Sequence, residues 1–70
     1  MATINLGRIG NMKQFVEVED GISIKSAFVL NDIEIAENEV IRDMTGDEYE
    51  AGDDVEDGAT YMLVAHHKNA

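Results

Sequence analysis

Phe15-Val16-Glu17-Val18-Glu19 runs into Asp20-Gly21, and Ser23 then opens Ile24-Lys25-Ser26-Ala27-Phe28-Val29-Leu30. In an extended chain, Val16 and Val18 fall on one side and Glu17 and Glu19 on the other, which is the pattern of a half-buried strand. Asp20-Gly21 breaks that strand. Ser23 has the side chain of a helix N-cap. Ile24, Ala27 and Phe28 follow at i, i+3 and i+4, one apolar stripe on a helix of two turns. Such a helix does not persist in water alone, so its stripe has to dock on a sheet. Asn31-Asp32 ends it, Asn being tolerated in the left-handed region.

Upstream, Thr3 to Ile9 alternates Ile4 and Leu6 with Asn5 and Gly7, and Gly10-Asn11 is a tight-turn signal. The two strands and their turn make a hairpin. Downstream, Glu39 to Met44 reads as a third strand turned by Thr45-Gly46-Asp47. Glu48 to Asp57 is loop-like, with a short edge strand near Glu48-Tyr49-Glu50. Asp57-Gly58 is a second turn signal. Thr60-Tyr61-Met62-Leu63-Val64-Ala65 is apolar on both faces, as a central strand is. There is no proline, so Gly, Asn and Asp make every turn. The expected fold is α+β: a mixed sheet of four to five strands with one short helix packed across one face. The last strand returns parallel to the first, with the helix region as the crossover. Ile33 and Ile35 lie in a connection that tucks under the sheet. Residues 1–70 form one domain, with 66–70 a frayed polar tail.

This order of strands, turns and helix resembles the β-grasp (ubiquitin-like) fold, and within it the thiamine and molybdopterin sulfur-carrier proteins. The stretches that carry the resemblance are Val16-Glu17-Val18-Glu19 into Asp20-Gly21, Ser23-Ile24 at the helix start, and Val55-Glu56-Asp57-Gly58-Ala59 leading into Tyr61-Met62-Leu63-Val64. The resemblance implies a module that works by binding, through the open face of its sheet. Those carriers end in Gly-Gly, whose carboxylate is adenylated and converted to a thiocarboxylate. This sequence ends Lys68-Asn69-Ala70. Carrier activity is therefore not implied, and a carrier relative truncated before Gly-Gly stands as one alternative.

Composition excludes much chemistry. With no cysteine there is no disulfide, thiol nucleophile, iron–sulfur cluster or thiolate metal site. A chain of 70 residues held by packing alone is expected to be stable by only about 3–5 kcal/mol. Apolar residues make up 44%, enough for a core. Fifteen acids against five bases give a net charge of −10. Arg8, Lys13, Lys25, Arg42 and Lys68 are scattered, so neither direct nucleic-acid binding nor an anionic membrane surface is expected. No apolar run is long enough to span a bilayer, and the first residues lack a signal-peptide pattern. The default address is cytoplasmic, and the expected state is a monomer or weak dimer. Ten of the acids lie in residues 36–70, with only two bases. That half projects a negative field suited to a protein partner with a basic surface.

The acids concentrate at Asp47, Glu48, Glu50, Asp53, Asp54, Glu56 and Asp57. A calcium loop needs acids at positions 1, 3 and 5 and Glu at 12. Counting from Asp53 puts Val55 and Val64 at positions 3 and 12, and counting from Asp43 puts Thr45 at 3, so no metal site is expected. The readings left are a solvated loop and a docking surface. His66-His67 point to opposite sides of a strand and do not chelate one ion. Ser23 is a cap and Ser26 an exposed helical position, and Gly7-Arg8-Ile9-Gly10 lacks the ending and spacing of a phosphate loop. No catalytic residue and no cofactor are expected. Phe15, Met62 and Val64 point opposite to the core-facing residues of their strands. They either pack beneath the Ile33–Ile35 connection or line an open apolar face, which on a highly charged protein marks a contact site. The function expected is a small acidic, non-catalytic protein-binding domain using that face and the acidic loop. The alternative is an acidic inhibitor that imitates nucleic-acid charge on a basic protein.

Overall fold

The computed structural model describes residues 1–65. The expectations for the tail and for His66-His67 lie outside the described residues. Strands β1 (Ala2–Arg8) and β2 (Asn11–Val18) form the hairpin, helix α1 spans Ile24–Leu30, and β3 (Glu39–Arg42), β4 (Glu48–Tyr49) and β5 (Thr60–Ala65) follow. The sheet order is β2-β1-β5-β3-β4. β1 and β5 pair in parallel, from Asn5 opposite Thr60 to Arg8 opposite Leu63. The other pairings are antiparallel. This is an α+β fold, a five-stranded mixed sheet with one short helix, as the sequence leads one to expect.

The helix is fixed at both ends by side chains. Ser23 Oγ accepts the Ser26 N–H at 3.1 Å. At the other end, Asn31 Nδ2 donates to the Ala27 carbonyl at 2.8 Å. Asn31 itself keeps a φ of −104°, and Asp32 one residue on takes the left-handed φ of +61°. Ile24, Ala27 and Phe28 are wholly buried. They share one core with Ile4 and Leu6 of β1, Val18 of β2, Ile41 of β3 and Tyr61 and Leu63 of β5. Ile33 and Ile35 pack against that core, in a recess shared with Lys25 and Val29 of the helix. The connection therefore lies beside the helix and leaves the opposite face of the sheet uncovered. A two-pronged contact holds it. The Arg8 guanidinium donates to both Glu39 carboxylate oxygens, each at 2.7 Å, and to the Glu34 carbonyl. This pairing draws the Glu39 carboxyl below its ordinary range. No helix among the described residues is long and apolar enough to cross a membrane.

The hairpin departs from simple alternation. Its loop is Ile9-Gly10, with Gly10 at φ +86°, and Asn11 already belongs to β2 opposite Arg8. The register passes from Leu6 opposite Lys13 to Ile4 opposite Val16. Gln14 and Phe15 together thus oppose Asn5, a β-bulge. Phe15 sits at φ +56° and is 78% exposed. Asn5 stands in for the lost ladder bond: its Oδ1 accepts the Phe15 N–H at 2.9 Å, and its Nδ2 donates to Thr60 Oγ1 at 3.1 Å. The bulge also resets which side chains share a face. Lys13, opposite Leu6, lies on the helix side, where its Nζ donates to the Asn31 carbonyl at 2.8 Å. Met12, opposite Gly7, lies on the open side.

A side chain with a Cβ is disfavoured in the left-handed region, and this one returns little burial. Phe15→Gly is therefore expected to stabilise the domain by about 0.5–1 kcal/mol. The gain is read as a rise in urea midpoint at unchanged m-value.

Candidate functional site

Directly opposed residues on neighbouring strands share a face. Across the open side, Met12 lies opposite Gly7, Gly7 opposite Met62 and Met62 opposite Arg42, one continuous row. Val64 and Val40 pair in the next row. The middle of the Met row is a glycine, so Met12 and Met62 stand apart over bare backbone. Gly7 cannot be filled: a Cβ there would lie 2.4 Å from the Asn11 carbonyl oxygen. The result is a groove of about 310 Å³ lined by Asn5, Met12, Gln14, Met44, Thr60 and Met62. Met62 and Val64 lie where the sequence put them, on the face away from the helix. Phe15 borders this region through its neighbour Gln14 but does not line the groove. Met44, 74% exposed, closes one end.

The acidic segment is ordered from within. Asp43 is its organiser. Oδ1 accepts the Thr45 N–H, the Thr45 hydroxyl and the Asp47 N–H, and Oδ2 accepts the Tyr49 hydroxyl at 2.7 Å. The Thr45 hydroxyl, then the Tyr49 hydroxyl, hold the Asp43 carboxyl at a pKa of about 2. The same bond to Asp43 pushes the Tyr49 phenol up to about 12. The Tyr49 ring meets Tyr61 edge-on at 5.4 Å, and the Tyr61 oxygen accepts the Glu56 N–H at 2.9 Å. Val55, buried among seven acids, plugs the loop into the core. Its N–H donates to the Ile22 carbonyl, and Ile24 N–H donates to the Asp53 carbonyl, each at 2.8 Å.

All seven predicted acids are exposed, but they are not equivalent. Asp53 Oδ2 accepts the Glu50 N–H, and Asp57 Oδ1 accepts the Thr3 N–H at 2.8 Å. Glu48 lies 3.4 Å from Arg42. Asp47, Glu50, Asp54 and Glu56 have no side-chain hydrogen bond among the described residues, and their charge faces solvent. A second recess, of about 380 Å³, is lined by Asp43, Met44, Thr45, Tyr49 and the segment from Glu56 to Thr60. Among the described residues no three His, Asp or Glu side chains are grouped to hold a metal ion. The Ser23 hydroxyl is engaged with Ser26 through two hydrogen bonds.

Sequence reasoning missed Met12, Met44, Asn5 and the Asp43–Tyr49 pair. The signal for Met12 was present. A two-residue turn at Ile9-Gly10 fixes Gly7 opposite Met12, and a parallel β1–β5 pairing then aligns Gly7 with Met62. Val55 was equally visible as the one large apolar residue between Asp53 and Asp57.

No protein-family model matches this chain, and no curated protein or solved structure matches it at a significant level.

The Asp43–Tyr49 bond carries a pH signature. The folded-state pKa of Asp43 lies below its unfolded value, so its contribution is complete above about pH 4 and is lost as pH falls toward 2. The Tyr49 phenol is shifted up, so its contribution holds below about pH 10 and is lost between 10 and 12. Tyr49→Phe is expected to be less stable than the parent across neutral pH. The gap should narrow below pH 4 and above pH 10 in chemical-denaturation curves.

Proposed function

We propose that this chain is a small acidic, non-catalytic protein-binding module. It engages a partner with a basic surface through the open sheet face and the adjoining acidic loop. The observation that carries this reading is the one-sided cover of the sheet. The helix and the Ile33–Ile35 connection occupy one face. The other keeps Met12, Met44, Met62 and Val64 at a surface of a chain with net charge −10. An apolar patch rimmed by charge is the usual anatomy of a contact site. The acids supply the steering field, and their backbone anchorage fixes where the charge is presented.

The strand order 2-1-5-3-4, with a parallel central pair and a helix after the first hairpin, supports a β-grasp relationship. Domains of that architecture commonly bind partners through the open face.

The test separates face from charge. Glu50→Gln, Asp54→Asn and Glu56→Gln together remove three charges that bond to nothing among the described residues. Asp53 and Asp57 are left intact because they hold backbone N–H groups. A second variant carries Met62→Gln and Val64→Thr. Each form is immobilised and exposed to an extract of its own source cells at low and at high salt. The expected result is a protein retained by the parent at low salt and lost with either variant. Identical retention by all three forms overturns the reading. Loss with the charge variant alone favours the acidic inhibitor that imitates nucleic-acid charge, whose binding falls steeply with salt.

A further inference from the structure

Resting on that reading, we propose that the open face and the acidic loop form one continuous trough. Its ligand is an amphipathic basic segment of the partner: a long apolar side chain seated among Met12, Met44 and Met62, with an adjacent Lys or Arg reaching Glu56.

The two recesses described above share two residues, Met44 and Thr60. The methionine-lined groove and the acid-lined one therefore adjoin along these two side chains. The first is walled by the unbranched thioether side chains of Met12, Met44 and Met62. These adapt to apolar side chains of different shape, as rigid branched walls do not. The second offers a carboxylate that the fold does not use. Asp43 is saturated by four internal donors, and Asp57 Oδ1 is taken by Thr3. Glu56 has no side-chain partner among the described residues, although the Tyr61 oxygen holds its backbone N–H. Its backbone is therefore held in place and its carboxylate is left unengaged. Among the described residues, Arg42 is the one base on this face, and it is already engaged. Arg42 Nη1 donates to the Gly46 carbonyl at 2.9 Å, and Nη2 lies 3.4 Å from Glu48. Among the described residues, no free positive charge on this face attracts an acidic ligand.

Charge complementarity selects among occupants. A second copy brings another −10, and like charges across an interface are costly. Nucleic acid and anionic lipid are repelled for the same reason. A purely cationic segment leaves the methionine groove empty. An acidic amphipathic segment places like charge against Glu56. A basic amphipathic segment satisfies both halves.

The probe is a synthetic peptide of Leu and Lys in an amphipathic pattern, titrated into the full chain and followed by amide chemical shifts. A Ser/Lys peptide of equal charge and a Leu/Glu peptide of equal apolarity are the controls. The Leu/Lys peptide is expected to shift residues around Met12, Met44, Thr60, Met62 and Glu56. It should bind about tenfold more tightly than either control. Met12→Gln with Met62→Gln is expected to weaken it about tenfold, and Glu56→Gln about threefold. Met44→Gln, at an exposed position, is a second probe of the groove that leaves the core untouched. Equal affinity for the Ser/Lys peptide, or an affinity indifferent to all three methionine changes, overturns the trough while leaving the acidic docking surface standing. Failure of both lysine peptides to bind sinks the docking surface as well.

Discussion

A helix of two turns cannot hold itself together in water, and the architecture follows from that constraint. Ile24, Ala27 and Phe28 are ordered only because they are buried against β1, β5 and the ends of β2 and β3. The caps at Ser23 and Asn31 close the helix ends but do not supply its stability. One short helix covers one face of five strands and no more. The described residues include no second helix to lay across the other side, so β5 keeps a half-exposed row of Thr60, Met62 and Val64.

Most of this was legible in the sequence because the signals were local. The helix bounds at Ile24 and Leu30 follow from a capping serine and an i, i+3, i+4 stripe. β5 follows from an uninterrupted apolar run between Gly58 and the polar tail. What the sequence hid depends on pairing. Alternation through Phe15 looks regular, yet the Asn5 side chain can take the place of a ladder bond and admit one extra residue. That insertion moves Met12 to the open face and Lys13 to the helix side. Seven clustered acids read as a solvated loop. In the fold they split into Asp53 and Asp57, which hold backbone, Glu48, which pairs with Arg42, and four that face water.

The bulge and the groove are linked. Asn5 bridges Phe15 on one side and Thr60 on the other, spanning β2, β1 and β5 beneath the methionine row. Thr60 lines both recesses. The strained Phe15 backbone is the local cost of a register that brings Met12 and Met62 to either side of Gly7. With regular pairing up to Gln14 and Phe15, the hairpin's closing turn and the Val16–Val18 burial could not both be kept, since a one-residue slip inverts every side chain.

The electrostatics complete the picture. A chain at −10 repels itself, and a loop bearing seven of those acids would swell away from the sheet if only solvation acted on it. It does not, because it is anchored by Val55 in the core, by Tyr61 under Glu56, and by the Asp43 carboxylate drawing in Thr45, Asp47 and Tyr49. Two of the seven, Asp53 and Asp57, themselves serve as acceptors for backbone donors the fold would otherwise leave unpaired. Self-repulsion is thereby opposed without neutralising the field. Of the carboxylates that remain, Glu56 lines the recess that adjoins the apolar groove. A cationic partner meeting them need not order the loop, and the entropy cost of ordering it falls on folding, not on association.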